Sequence, residues 1–102
     1  MAGVRHIVMF RFAPSASQAR IDAIVAAFAA LKGKVPGISG FSWGTNNSPE
    51  GLNKGLTHCF VVEFPDAAAR DAYLPHPEHD AFVKFLGDDV ADVCVFDYSD
   101  GR

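Results

Sequence analysis

The stretch Tyr73-Leu74-Pro75-His76-Pro77-Glu78-His79 gathers a phenol and two imidazoles around a break between two helical patterns. An imidazole takes up and releases a proton near neutrality, which suits it to act as a base on a neutral substrate. Pro75 and Pro77 disfavour helical geometry at Leu74 and His76, so the helix carrying Tyr73 is expected to end there. Pro77 suits the first position of a following helix, because its fixed φ is helical and its missing N–H is not needed. His79 then falls in the first turn, where the positive end of the helix dipole favours a neutral ring while Glu78 and Asp80 favour a charged one. A plainer arrangement fits the same residues: His79 as a helix-start side chain bonded to a neighbouring carboxylate, and His76 as a cap beside Pro77. No third ligand follows His76 and His79 at metal-site spacing, so no metal is expected.

The elements that must position these groups follow from hydrophobic periodicity. Residues 4 to 12 alternate as a strand, with His6, Val8, Phe10 and Phe12 on one face and Ile7 and Met9 on the other. Ser15 and Gln18 have capping-box spacing and are expected to open a helix running to about Lys34, with Ile21, Ile24, Val25, Phe28 and Leu31 along one stripe. Gly33, Pro36 and Gly37 end it, and Ile38 to Gly44 reads as a weaker strand carrying Phe41 and Trp43. A polar loop from Thr45 to about Leu56 is too long for a tight hairpin, which makes it a candidate lid or interface arm. The third strand, Thr57 to Phe64, alternates His58, Phe60, Val62 and Phe64 with Thr57, Cys59, Val61 and Glu63. Asp66 caps a short helix to Tyr73, Pro77 to Leu86 continues helically with Phe82, Val83, Phe85 and Leu86, and Asp92 to Tyr98 is the last strand. In that strand Val93, Val95 and Asp97 oppose Cys94 and Phe96.

This order is the β-α-β-β-α-β of an α+β, ferredoxin-like domain with a four-stranded antiparallel sheet. Two helical regions cover one face of such a sheet, yet three of its strands are apolar on both faces. The simplest cover for the second face is another copy of the same sheet, in a homodimer that closes an α+β barrel between two subunits. A hydrophobic ligand or another protein are the alternatives.

The chain has 102 residues, 49% hydrophobic and 21% charged, which bounds it to one domain spanning 1–102. A net charge of −3 with scattered Lys and Arg offers no field for phosphates, so no nucleic-acid partner is expected. No apolar run approaches the roughly 20 residues needed to span a bilayer, and the strand pattern begins at Val4 without a signal-peptide core, so no membrane association and a cytoplasmic location are expected. Cys59 and Cys94 sit in apolar strand patterns and read as reduced core residues.

His6-Ile-Val in the first strand, Phe41-Ser-Trp43-Gly44, Gly55-Leu-Thr-His58, Tyr73-x-x-His76-Pro77-x-His79 and the closing Val95-Phe96-Asp97-Tyr98 together resemble the stress-responsive dimeric α+β barrel (Dabb) family over nearly the whole chain. The resemblance implies a ferredoxin-like subunit that dimerises through its sheets. It also implies chemistry like that of the family's plant olivetolic acid cyclase, which closes a polyketide ring by aldol condensation without metal or organic cofactor. The catalytic tyrosine and histidine of that segment fall on Tyr73 and His79. On this reading His79 removes a proton α to a carbonyl, Asp97 orients His79, and Tyr73 donates a hydrogen bond to the enolate oxygen. His6 and His58 would lie along the pocket with Val8, Phe10, Phe60 and Val62, although single histidines on apolar faces are more simply buried, satisfied residues. Phe28, where the cyclase has a tyrosine, and Phe60 and Phe85, where it has valines, imply a narrower and less polar pocket, with Phe82 also lining it.

Three functions are therefore carried forward. The first is a cofactor-independent lyase or cyclase acting on a small apolar carbonyl compound through Tyr73, His79 and Asp97. The second is a non-catalytic stress-related homodimer that binds a hydrophobic ligand. The third is a cofactor-free monooxygenase, suggested by Trp43 and Asn46.

Overall fold

The computed structural model describes residues 3–101. Its elements are β1 (Val4–Phe12), α1 (Gln18–Lys34), β2 (Gly40–Thr45), β3 (His58–Phe64), α2 (Ala67–Tyr73), α3 (Pro77–Leu86) and β4 (Val90–Tyr98). The strands form one sheet in the order β2-β3-β1-β4, with every neighbouring pair antiparallel. The expected ferredoxin-like arrangement is present, its second helical region divided at the Pro/His break.

Alternation decides which side chains enter the core. Val4, His6, Val8 and Phe10 of β1 are buried on the helix-covered face, beside Phe60, Val62 and Phe64 of β3. Helix α1 lays Ile24, Phe28 and Leu31 on them at helical spacing, and α3 adds Phe82. Phe28 joins these layers: its ring lies 4.6 Å from those of both Phe60 and Phe82. Burying each such side chain contributes roughly 1.5–3 kcal/mol, so this aromatic stack holds α1 and α3 to the sheet.

Three boundaries differ from expectation by two residues. Helix α1 is capped by Ser17, whose Oγ accepts from the Arg20 N–H at 3.1 Å. The Ser15/Gln18 box does not form, because a turn from Ala16 N–H to the Ala13 carbonyl carries the chain past Ser15, and Gln18, already helical, reaches forward to Asp22. Strand β2 begins at Gly40 rather than Ile38. Strand β4 begins at Val90, two residues early, because an irregularity after Arg11 pairs Phe12 with Val90 and skips Ala91. Gly87 makes the preceding turn at φ +52, ψ −132, a conformation glycine adopts without the clash a Cβ would bring.

The face away from the helices carries Ile7, Met9, Cys59, Val61, Cys94 and Phe96 across adjacent strands; among the described residues no helix covers it, and only the loop between β2 and β3 borders its Met9, Cys59 and Val61 end. Cys94 is exposed there and Cys59 is half-buried, which corrects the reading of both as core residues.

Candidate functional site

Helix α2 ends at Tyr73, beside Pro75 as expected, but the chain turns extended only at His76. Leu74 keeps helical geometry in spite of Pro75 (φ −58, ψ −43), and its N–H donates to the Arg70 carbonyl at 3.2 Å. His76 is the extended residue (φ −62, ψ 138), and its Nδ1 accepts from the Glu78 N–H at 3.1 Å, capping α3 with Pro77 in the first turn. That bond takes the N–H which a continuous helix would have given to the Leu74 carbonyl. His79 fills the vacancy, its Nδ1 lying 2.8 Å from Leu74 O. A carbonyl oxygen only accepts, so Nδ1 carries the proton and, in the neutral ring, Nε2 keeps its lone pair.

Tyr73 lies beside it, the two ring centroids 4.5 Å apart. The tyrosine is buried, yet its hydroxyl has no hydrogen-bond partner among the described residues and is not among the fully enclosed polar atoms, so it reaches open space in the cavity. Burial pushes the phenol well above its ordinary range. It is therefore a hydrogen-bond donor near neutrality and not a base.

Asp97 does not orient His79. It sits opposite His6 in the β1–β4 ladder, and its Oδ1 is 2.7 Å from His6 Nδ1. Its other oxygen accepts from the Arg70 guanidinium at 2.8 Å, and Arg70 Nε donates to Asp71. The resemblance assigned Asp97 to the wrong imidazole because strand register, which the sequence does not display, places Asp97 at His6 on the cavity floor. His6 is 4% exposed and meets Tyr73 edge-on at 5.9 Å.

These groups line a cavity of about 430 Å³ between the sheet and α2–α3. Of the expected site residues, the structure brings together His6, Val8, Phe10, Phe28, Tyr73, His79 and Phe82. Phe60 and Val62 do not line it; they are closed off in the core. Phe85 faces away, under the Arg20 guanidinium at 4.4 Å, while Arg20 also bonds the Phe85 carbonyl and Asp89. His58 stands elsewhere, stacked on Trp43 at 6.1 Å and edge-on to Phe12 at 4.9 Å, with Thr57 Oγ1 2.8 Å from its Nδ1. Burial lowers its basicity. Together with Trp43 and Asn46 it borders a separate cavity of about 320 Å³ beneath the loop between β2 and β3. Sequence reasoning missed Leu74, Val83, Leu86, Val90, Val93 and Val95, the apolar rim of the main cavity. The apolar alternation of β4 was the available signal; the skip at Ala91, which brings Val90 to the same cavity as Val93, was not visible. Among the described residues, no group of three or more His, Cys, Asp or Glu side chains is arranged to hold a metal ion. No helix there is long and apolar enough to cross a membrane.

The profile of the stress responsive A/B barrel domain matches residues 4–100. The chain belongs to this family. It is similar to the stress-response A/B barrel domain-containing protein HS1 of Arabidopsis thaliana, with 30% identity over 95 residues, 93% of this chain and 87% of that one. In three dimensions this Dabb chain superposes on the hydroxynitrile lyase of Passiflora edulis with a TM-score of 0.91 and 28% identity, covering 99% of this chain and 95% of that one. It is also similar to a dimeric ferredoxin-like protein from Jannaschia, with a TM-score of 0.76 and 28% identity over 94% of this chain and 97% of that one.

Proposed function

We propose that this Dabb protein is a cofactor-independent enzyme of lyase or cyclase type, acting on a small apolar carbonyl compound or its addition product. The observation that carries this reading is the pairing of His79 and Tyr73 at one end of an apolar cavity. His79 has its Nδ1 proton tied to Leu74, so Nε2 is free to accept a proton, and Tyr73 keeps a phenol proton with no acceptor for it among the described residues. Nε2 removes a proton α to the carbonyl while Tyr73 donates to the enolate oxygen. For an addition product, Nε2 takes the hydroxyl proton as the C–C bond breaks, Tyr73 donates to the forming carbonyl oxygen, and the departing carbanion, cyanide in a cyanohydrin, takes that proton from His79. Similarity to a hydroxynitrile lyase supports carbon–carbon bond chemistry beside an oxygen in this cavity. Phe28 and Phe82 favour an apolar, compact substrate body.

Two probes test it: deuterium exchange into the methyl group of acetophenone in D2O, followed by proton NMR, and benzaldehyde release from mandelonitrile. At least one is expected to be accelerated. His79→Ala should lower that rate by about 10²–10⁴-fold, and Tyr73→Phe by on the order of 10². Absence of both reactions, or a His79→Ala variant as active as wild type, would overturn the reading.

We further propose that the protein is a homodimer through the helix-free face of its sheet. The exposed Phe96 and the partly exposed Ile7, Met9 and Val61, over which no helix lies, support this, as does the dimeric state of the Jannaschia relative.

A further inference from the structure

The proposed reaction employs His79 and Tyr73 and leaves a second imidazole on the cavity floor without a task. His6 is held more firmly than His79. Its Nδ1 meets a carboxylate whose other oxygen is bound by Arg70, and Arg70 is itself held by Asp71. An Asp97 carboxylate paired with a guanidinium can only accept, so the proton on the shared bond belongs to His6 Nδ1. The remaining nitrogen, Nε2, has no hydrogen-bond partner among the described residues and is not an enclosed polar atom, and His6 lines the cavity. In the neutral ring, Nε2 is a bare acceptor set among apolar side chains.

We propose that Asp97, anchored by Arg70, is a positioning residue that presents His6 to the cavity as a hydrogen-bond acceptor, so that the site selects ligands carrying a hydroxyl over their ketone counterparts. A hydroxyl satisfies Nε2, whereas a ketone oxygen facing it leaves two lone pairs opposed in a site with little water to intervene. Tyr73 supplies the complementary donor for a second oxygen. The inference rests on the reading of this cavity as a site for small carbonyl-derived compounds, and it extends that reading to what distinguishes an addition product from the free ketone.

Asp97→Asn separates the parts. Its amide can rotate to donate to His6 Nδ1, which moves the ring proton to Nε2 and turns the acceptor into a donor, the tautomer exchange known from catalytic triads. Ring-nitrogen NMR on 15N-histidine-labelled protein at pH 8, with His6→Gln to assign the signals, reads the tautomer directly and needs neither substrate nor turnover. Wild type should show protonated Nδ1, Asp97→Asn protonated Nε2, Arg70→Met both forms, and Arg70→Lys the wild-type form. Protonated Nε2 in the wild type overturns the proposal. An Arg70→Met spectrum identical to wild type overturns the role of Arg70, and it can be recorded even if Asp97→Asn does not fold.

NMR titration with 1-phenylethanol and acetophenone reads selectivity. Wild type should bind the alcohol on the order of 2–10-fold more tightly, the worth of one neutral hydrogen bond, and Asp97→Asn should reverse the order. Equal affinities, or no binding of either compound, overturn the selectivity. Correct tautomers with no turnover of any probe would instead count against the proposed reaction alone.

Discussion

Phe60, on the helix-covered face of the sheet, is fully buried at 0% exposure, whereas Phe96, two strands away on the opposite face, is 62% exposed. Phe60 has the rings of Phe10 and Phe28 at 5.3 and 4.6 Å. Phe96 lies beside Ile7 in the ladder and has no helix above it among the described residues. The same side chain thus serves stability on one face and presents unspent apolar area on the other. The difference also locates the proposed site. Helices α2 and α3 cover their end of the sheet incompletely, and the uncovered part of that face is the cavity holding His6, Tyr73 and His79.

The largest effect that would break the comparison is on folding. Phe60→Ala should destabilise the protein by about 3–5 kcal/mol, the cost of removing a closely packed phenylalanine, measured by urea unfolding; a loss no larger than that of Phe96→Ala would mean that the two faces are equivalent.

Phe96→Glu should act on association instead. The far-UV circular dichroism should be unchanged, while the sedimenting mass falls from twice the chain mass to 11.0 kDa. A wild type already sedimenting at 11.0 kDa at micromolar concentration would remove the homodimer.

The smallest effect belongs to His58, at the partly covered corner beside Trp43. Burial holds this imidazole below its ordinary value. The unfolded chain therefore takes up the proton first, so the stabilisation is present above the ordinary histidine range near 6.5 and is lost as pH falls through it. Between pH 7.5 and 5.5 the urea midpoint should fall less steeply in His58→Gln than in wild type; equal slopes would show that His58 is not shielded there.

The element order and the sets of side chains sharing a face were legible because alternation and helical spacing act locally: Val8 and Phe10, or Ile24 and Phe28, declare their common face within a few residues, whereas which strand face meets the helices was not legible, because both are apolar. Asp66 at a helix start and His76 as a cap were legible for the same reason. The Ser15 cap was misplaced because a turn from Ala13 to Ala16 competes with it, and nothing in the local pattern ranks the two. Phe60 and Phe85 fit a pocket by residue type, yet one is closed off by α1 and the other is claimed by Arg20, a residue 65 positions away.

What the sequence by itself determined is the set of surfaces: a sheet apolar on both faces, a helix with one apolar stripe, and a proline-divided segment that ends one helix near Tyr73 and starts the next before His79, all consequences of backbone periodicity and of proline's missing N–H. Only the tertiary structure decided the partners. Register places Asp97 against His6, the break frees the Leu74 carbonyl for His79, and incomplete helical cover leaves the cavity between them, because a hydrogen bond between distant residues depends on distances of a few tenths of an ångström that no local pattern encodes.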